Sequence, residues 1–287
     1  MKNVYFIVLH YQAIHTTIEC VDSLLKLNHD NSTIRIIIVD NASENGSGKE
    51  LKDRYKNNEI VDVFLNNYNS GFAKGNNIGF SIAKKRGADF IILINNDTKI
   101  PDCNFVNKLI SLYEEEGFAL LGPDVKSVYD GVHQNPAKGF RINKNSVRKR
   151  IIRSHLILIL NDLHLADKIP LKHSKINYQN NYRQQYIIDD SLDLVLHGSC
   201  LIFSQDYISL YDGLVPDTFM YFEENILAYI CAIHNLKMLY SPKISIEHYR
   251  HISTNTQNKK ERERIQFFHS NAIISLRVLL KIVRENE

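Results

Sequence analysis

Short apolar runs alternate with amphipathic stretches through the first 130 or so residues of this 287-residue chain. The predicted elements are strands at 4–9, 34–39, 61–65 and 90–94 and helices at 17–27, 47–57 and 74–85. Such alternation is typical of βαβ units around a mostly parallel sheet, so the sequence predicts an α/β fold with a Rossmann-like half.

Polar residues follow the predicted strands where each strand ends: His10 and Tyr11, Asp40, and Asn95, Asn96 and Asp97. Because the carboxyl ends of parallel strands share one edge, where ligands usually bind, these side chains are expected to converge. Asp97 is a candidate ligand for Mg²⁺ or Mn²⁺, which commonly bind one or two carboxylates plus substrate phosphates. The alternative for Asp97, and equally for Asp40, is capping of a following helix.

Residues 66–79 are too polar and too rich in glycine for an ordinary connection, and they follow a strand and open a helix. Backbone amides and carboxamides there can bind a base or a ribose. The segment lacks the dinucleotide-binding G-x-G-x-x-G, and the chain has no P-loop, which disfavours NAD enzymes and P-loop NTPases. A glycine-assisted turn with asparagine caps is the alternative.

Two acids and two histidines are the candidates in the second half. Glu223 and Glu224 open a predicted helix, where the dipole favours negative charge, and their aromatic neighbours suit a desolvated general base. His248 and His251 fit either a structural hydrogen bond or a metal site.

The order of these motifs resembles the bacterial family 2 glycosyltransferases, especially the rhamnosyltransferase-like and galactofuranosyltransferase-like members. The resemblance covers residues 4–130 and 192–255. Its parts are the opening strand at 8–11, the nucleotide-binding aspartate in 39–43, the G-F-A-x-G-N-N-x-G signature in 69–79, the D-x-D motif in its N-N-D form at 93–98 and the F-x-Y-F-E-D motif at 219–224.

The resemblance implies a GT-A fold and an inverting transferase that depends on Mn²⁺ or Mg²⁺. Asp97 and His248 would hold the metal, and Glu224, with Glu223 beside it, would supply the catalytic base. The residues expected to bind the nucleotide sugar are His10, Tyr11, Asp40, Asn69, Gly71, Phe72, Lys74, Gly75, Asn76, Asn77, Asn95 and Asn96.

Two positions depart from the family pattern. The family usually has aspartate where this chain has Glu224, and another acid where it has Ile226. The family's histidine ligand is followed by a glycine, which is missing here, so His248 is preferred and His251 remains an alternative.

The implied partners are a UDP- or dTDP-sugar donor and a glycan or lipid-linked glycan acceptor in cell-surface polysaccharide synthesis, such as capsule or O-antigen. A sugar nucleotidyltransferase is disfavoured, because residues 10–14 read His-Tyr-Gln-Ala-Ile in place of a glycine-rich G-G-x-G-T-R loop. A non-catalytic nucleotide- or glycan-binding module stays open.

Composition adds mainly exclusions. A net charge of +3 argues against a nucleic-acid binder, and four widely spaced cysteines indicate neither a zinc knuckle nor a disulfide framework. No apolar run approaches the roughly 20 residues of a spanning helix, so we expect a cytoplasmic protein, at most lying at the inner face of the membrane.

Four regions are expected: a nucleotide-sugar-binding half (1–130), a helical insertion (131–191), an acceptor-binding half that holds the base (192–255) and a C-terminal helical extension (256–287). Within the insertion, residues 141–183 combine ten cations with two acids, Asp162 and Asp167, and with apolar residues at 147, 151, 152 and 155–160. This stretch is expected to lie on an anionic membrane, or to pack on the catalytic domain or a second subunit of a homodimer.

Overall fold

The computed structural model of the protein describes residues 1–30, 32–165, 183–188, 194–249 and 261–286. Its strands are β1 (Lys2–His10), β2 (Ser32–Asp40), β3 (Val61–Leu65), β4 (Phe90–Asn95), β5 (Thr98–Lys99), β6 (Leu120–Ser127), β7 (Ala137–Lys138), β8 (Tyr186–Ile188), β9 (Leu194–Val195), β10 (Cys200–Ser204) and β11 (Met238–His248). Its helices are α1 (Ile14–Leu24), α2 (Ser47–Tyr55), α3 (Gly71–Lys85), α4 (Phe105–Glu116), α5 (Lys144–Asp162), α6 (Gln205–Ile208), α7 (Glu223–Ile233) and α8 (Glu261–Asn286).

One mixed sheet organises the described residues, in the strand order β3-β2-β1-β4-β10-β6-β11-β5 with β8 also on β11. Strands β1 to β4 are parallel, and β6 and β11 are parallel to each other. The predicted α/β fold with a mostly parallel sheet is therefore confirmed.

Strand β10 runs antiparallel to both of its neighbours. Cys200, the first residue of β10, pairs with Ile94 near the end of β4. The start of β10 therefore lies at the same sheet edge as the ends of β1, β2, β4 and β11.

Both faces of the sheet are buried, as the continuous apolar strands predict. Side chains of β1 alternate between the two faces: Phe6 packs with α1 and α4, and Ile7 packs with α3 and α7. The sheet is thus the middle layer of a three-layer sandwich.

Helix α3 begins at Gly71, three residues before the predicted start, so the glycine-rich motif forms its first two turns. A Cβ atom at Gly75 would lie 2.6 Å from Leu9 Cδ1, and one at Gly79 would collide with Ile7. These two glycines let α3 lie directly on β1, which holds the helix start at the sheet edge.

A third apolar cluster joins α5, α7 and α8. It contains Val147 of α5, Tyr229 of α7 and Leu276 of α8, each buried. The helix predicted in the insertion therefore packs on the helix that starts with the two candidate acids. The C-terminal segment is a single helix within its described residues, 261–286.

Candidate active site

The ends of β1, β2, β4 and β11, together with the start of β10, bring most of the candidate residues to one sheet edge. Neither aspartate is the N-cap residue of the helix that follows it: the residue before α2 is Gly46, and the one before α4 is Asn104. The N-cap alternatives for Asp40 and Asp97 are therefore wrong, because neither residue directly precedes a helix.

His10 is fully buried at the end of β1. Its Nδ1 lies 2.7 Å from Thr17 Oγ1 and its Nε2 lies 2.8 Å from Ser47 Oγ. Burial lowers the pKa of His10 to about 4, so the ring is neutral at pH 7. It holds α1 and α2 against the strand end, and its ring nitrogens are already engaged. Its neighbour Tyr11 is half-buried.

Asp40 is buried at the end of β2 and both of its carboxylate oxygens accept a hydrogen bond from the Ser43 backbone N–H at 3.3 Å. The carboxylate lies against Gly48, where any side chain would collide with it. Gly48 was not a sequence candidate, and it is needed because α2 passes directly over this acid.

Asn41, which the sequence analysis did not single out, holds the loop that precedes α3. Its Oδ1 accepts from the backbone N–H and the hydroxyl of Ser70, both at 3.0 Å. Its Nδ2 donates to Asn69 Oδ1 at 2.9 Å and to the Gly71 carbonyl at 3.2 Å. One buried amide thus fixes the conformation of residues 69–71.

Gly71 connects the glycine-rich motif to the 219–224 motif. It has a left-handed φ of 80°, and a Cβ atom there would lie 2.9 Å from Phe219 Cα. The next backbone N–H, of Phe72, donates to the Phe219 carbonyl at 2.7 Å. The two motifs that the sequence analysis treated separately are therefore in direct contact.

Of the other polar residues in the glycine-rich motif, some form hydrogen bonds within the protein and others are exposed to solvent. Asn76 Nδ2 donates to the Phe72 carbonyl at 3.0 Å. The Asn77 amide donates to the Leu214 carbonyl at 2.7 Å and accepts from its N–H at 2.8 Å. Lys74 and Asn69 are exposed. Asn76 and Asn77 therefore stabilise the backbone around the loop, whereas Lys74 and Asn69 are accessible to a ligand.

The N-N-D segment turns sharply after β4. Asn95 lies at the strand end, and its carbonyl accepts from the Thr98 hydroxyl at 2.6 Å. Asn96 Nδ2 donates to Thr17 Oγ1 at 2.9 Å. Asp97 is 3% exposed, and its backbone carbonyl accepts from the Tyr249 N–H at 2.8 Å. This turn brings Asp97 to the end of β11.

Asp97 and His248 face each other, with 3.5 Å between Asp97 Oδ1 and His248 Nε2. On the other side of the ring, His248 Nδ1 lies 2.7 Å from Gln134 Oε1. An amide oxygen only accepts, so Nδ1 carries a proton, and Nε2 is the ring nitrogen that faces Asp97. The sequence analysis missed Gln134, because it lies in the presumed insertion and only the folded chain brings it to β11.

This arrangement fits a divalent cation. One carboxylate oxygen, one imidazole nitrogen with its outer nitrogen hydrogen-bonded, and the phosphates of a substrate make a suitable ligand set for Mn²⁺ or Mg²⁺. The described residues contain no cluster of three or more metal-binding side chains. His251 lies outside the described residues.

His197 extends the site towards β10. Its ring centroid lies 5.6 Å from that of His248, and its backbone N–H donates to Asn135 Oδ1 at 2.9 Å. The sequence analysis did not single out His197. No local pattern marks it, because its neighbours come from three separate parts of the chain.

Glu224 lies next to this histidine, with its carboxylate against Gly198. Burial raises the pKa of Glu224, and the Gly198 N–H opposes that shift. Burial, and secondarily the charge of Glu224, raises the pKa of Glu223 to about 7. The two adjacent carboxyls therefore share a poorly solvated helix start.

The two residues before this helix have unusual backbone conformations: Tyr221 has a φ of 74° and Phe222 a φ of 67°. Residues other than glycine rarely adopt this left-handed backbone conformation, and those that do are concentrated at functional sites. Contacts on α8 support the turn, since the Ser275 hydroxyl donates to the Met220 carbonyl at 3.2 Å. The Tyr221 ring lies 4.7 Å from that of Phe268.

Comparisons with known proteins show the family and the fold of the chain. The model of the family described as glycosyl transferase family 2 matches residues 5–207. A dTDP-rhamnosyl transferase, RfbF of Shigella flexneri, is 28% identical over 150 residues, which are 52% of this chain and 47% of that protein. The match thus spans about half the length of this relative.

Solved structures share the fold at low sequence identity. TarS 1–349 of S. aureus in complex with UDP-GlcNAc has a TM-score of 0.56 at 13% identity and covers 95% of this chain and 66% of that one. GalNAc-T7 with UDP, GalNAc and Mn²⁺ has a TM-score of 0.61 at 14% identity, and the match covers 88% of this chain and 44% of that one. From the matched family and the shared architecture, this chain belongs to glycosyl transferase family 2 and has a GT-A fold.

Proposed function

We propose that this protein is an inverting, metal-dependent glycosyltransferase that moves a sugar from a UDP- or dTDP-sugar to a glycan acceptor. One observation carries the proposal: the Asp97–His248 pair and the Glu224 carboxylate meet at one sheet edge, joined by His197 and Gly198. Glu224 and His248 lie beyond the residues that match the family model, so their roles rest on this geometry.

The donor nucleotide is assigned to the ends of β1 and β2 and to the loop before α3. Asn41 holds this loop in one conformation, so its amides need little reordering when a ligand binds. Among the candidate residues in this region, the half-buried Tyr11 and the exposed Asn69 and Lys74 have side chains accessible to the donor. Lys74 adds a positive charge suited to phosphate.

The diphosphate is assigned to the Asp97–His248 end of the site. Mn²⁺ or Mg²⁺ bound by these two side chains would neutralise the negative charge that grows on the departing diphosphate. Gln134 keeps the His248 ring in the orientation that presents Nε2. Asn96, through its bond to Thr17, holds the turn that carries Asp97.

Glu224 is assigned as the general base. It takes the proton of an acceptor hydroxyl as that oxygen bonds to the anomeric carbon, and the bond from this carbon to the diphosphate oxygen breaks. The attack comes from the face opposite the leaving group, so the configuration inverts. The proton ends on Glu224, and the nucleoside diphosphate carries away the bonding electron pair.

The names of the similar proteins point to two donor chemistries. The sequence relative is named for dTDP-rhamnose, and the two solved structures contain UDP or a UDP-sugar. We propose a lipid-linked glycan of a cell-surface polysaccharide as the acceptor, in line with the family resemblance.

A thermal-shift series with UDP- and dTDP-sugars, each with and without Mn²⁺, tests the donor assignment, because a ligand that binds the native state raises its stability. Asp97→Asn should remove the Mn²⁺-dependent part of the shift and leave the fold intact. Asp102→Asn is the matched control, since Asp102 lies outside the site and forms a surface ion pair with Lys108. An undiminished Mn²⁺-dependent shift in Asp97→Asn would contradict the metal assignment.

Product analysis separates the alternatives. A transferase releases a nucleoside diphosphate in step with glycosidic bond formation, and the anomeric configuration of the product reports inversion. Pyrophosphate release would indicate a nucleotidyltransferase. Donor binding with neither hydrolysis nor transfer to any glycan acceptor would indicate a binding module.

A further inference from the structure

Helix α5 carries apolar side chains on two opposite sides. On its inner side, Val147 and Ile157 are buried, with Val147 packed against α7 and α8. The apolar residues predicted within the insertion therefore do not form a single face of this helix. On the outer side lie four large aliphatic side chains that are 59, 54, 54 and 60% exposed: Ile152, Leu156, Ile159 and Leu163.

These four residues, which we call the α5 ridge, form one line along the helix. They are spaced by four, three and four positions, which is the period of a single helical face. Isolated exposed aliphatic residues are ordinary, but a continuous line of them usually marks a contact surface.

Cations flank the ridge. Arg148, Lys149 and Arg153 are exposed on α5, which carries five cations and one acid in all. On α8, Arg277 is exposed, and its Nη2 lies 3.5 Å from Nε2 of His155 on α5. Within the described residues, none of these four cations forms an ion pair with a carboxylate. The surface is therefore positive as well as apolar.

Arg150 does not belong to this set. Its guanidinium lies over the Phe140 ring, 3.8 Å from the centroid, and burial lowers its pKa. Of the cations at 148–153, only the other three point to solvent, which fixes the side of α5 that is charged.

We propose that the α5 ridge and its flanking cations dock the protein on an anionic lipid surface. The helix would lie in the plane of the interface, with the four aliphatic side chains among the acyl chains and the arginine and lysine heads against lipid phosphates. No described helix is long and apolar enough to cross a bilayer. The contact is therefore peripheral.

A second copy of the chain fits this surface less well. A stable protein interface takes about 800 Å² from each partner and some 20 to 30 residues a side, whereas the ridge is one helix wide. A symmetric contact through the ridge would also bring two sets of like cations together, which anionic headgroups would neutralise instead.

Co-sedimentation of the full chain with vesicles tests the proposal. We compare phosphatidylcholine alone with phosphatidylcholine mixed with phosphatidylglycerol, at low and high salt. The expected result is binding that needs the anionic lipid and weakens with salt, since screening acts on such contacts. No binding to the anionic vesicles at low salt, or equal binding to phosphatidylcholine alone, would overturn the proposal.

Two sets of variants locate the contact. The triple variant Ile152→Ser, Leu156→Ser, Ile159→Ser and the triple variant Arg148→Ser, Lys149→Ser, Arg153→Ser should each lower partitioning by about tenfold or more. Leu210→Ser is the matched control, because Leu210 is 61% exposed but lies after α6, outside the ridge. Equal partitioning of all three variants and the unaltered chain would overturn the assignment to this surface.

Two further measurements complete the test. Donor-induced thermal shifts should be unchanged in both triple variants, so loss of lipid binding is distinguishable from failure of the donor site. Light scattering without lipid tests the second-copy alternative. A dimer that the ridge variant dissociates, in a protein that does not bind the vesicles, would replace the membrane by a homodimer interface.

Discussion

Nε2 of His248 lies 3.5 Å from Oδ1 of Asp97, although the two residues are far apart in the chain. The short strand β5 produces this approach, because it pairs antiparallel with the end of β11, with Thr98 opposite His248. A polar turn and a strand end are thereby held together by backbone hydrogen bonds. The geometry of the pair consequently depends on sheet register.

Gln134→Leu should weaken Mn²⁺ binding in the presence of nucleotide by roughly 10- to 100-fold, the usual effect of removing a hydrogen-bond partner from a ligating histidine. The leucine cannot accept the Nδ1 proton, so the ring loses its fixed orientation. Calorimetry measures the affinity, and ¹⁵N NMR of the metal-free protein reports the tautomer. Gln134→Glu, which keeps an acceptor, should retain the Nδ1–H form. An unaltered tautomer and affinity in Gln134→Leu would show that Gln134 does not position the ring.

Glu224→Gln should retain donor affinity while transfer falls by roughly 10²-fold or more, the scale expected for loss of a general base. The amide matches the carboxylate in size, so packing against Gly198 is preserved. Comparison of kcat with the donor Kd separates the two effects. Glu223→Gln provides the contrast: if that variant is the crippled one and Glu224→Gln is active, the base is the neighbouring residue.

The rate of transfer should rise with pH through a range above the ordinary titration of glutamate. The base acts only when ionised, and burial raises the pKa of Glu224, so this carboxyl keeps its proton to a higher pH than an exposed glutamate does. A pH–rate profile under donor saturation measures the effect. A rate of transfer that does not change between pH 5 and pH 8 would contradict the assignment of the buried Glu224 as the base.

The free energy of unfolding should fall as the pH rises, whereas the rate of transfer should increase. A carboxyl whose pKa is higher in the folded than in the unfolded chain binds more protons when folded, so its stabilising effect is complete below pH 4.5 and is lost as the pH rises through about 7. For Glu223 the loss should be about 1–3 kcal/mol. Urea unfolding at a series of pH values measures it. Glu223→Gln should flatten the decline, and an unchanged slope in this variant would assign the effect to other groups.

Gly71→Ala should destabilise the protein more than Gly46→Ala. Both glycines have left-handed φ angles, 80° and 79°, so both substitutions incur strain of about 1–2 kcal/mol. A Cβ atom at Gly46 has no neighbour within 4 Å, whereas one at Gly71 meets the Phe219 backbone. The difference between the two losses of unfolding free energy measures the cost of the collision with Phe219. Gly71→Ala should also weaken donor binding. Equal losses of unfolding free energy in Gly71→Ala and Gly46→Ala would show that the loop can move away from Phe219 without cost.

The sequence predicted the parts of the fold that depend on local pattern. The strand runs of the first half and the acids that open α7 follow from periodicity and residue type, and both lie within one or two residues of their predicted positions. The start of α3 was less accurate, because its first two turns contain two glycines and two asparagines that locally favour a turn over a helix.

The sequence could not predict Asn41, Gln134 or His197. Each acts through partners far along the chain: Asn41 through residues 66–71, Gln134 through His248, and His197 through Asn135 and His248. Their roles depend on which strands become neighbours. The antiparallel insertion of β10 between β4 and β6, which no local pattern indicates, decides that neighbourhood.

The orientation of β10 also gives the two halves of the site different stiffness. The Ser199 carbonyl, immediately before β10, accepts a hydrogen bond from the Asn95 N–H at 2.9 Å, so the turn that follows His197 is tied to the end of β4. Asp97 lies in a turn whose carbonyl is bonded to the Tyr249 N–H, and His248 lies on β11 itself. Positions tied to strands are held more tightly than positions on free loops, so the side that carries Asp97, His197 and His248 is the stiffer one. Adjustment to acceptors of different shape falls to the other side, where the left-handed turn at Tyr221 and Phe222 rests on α8.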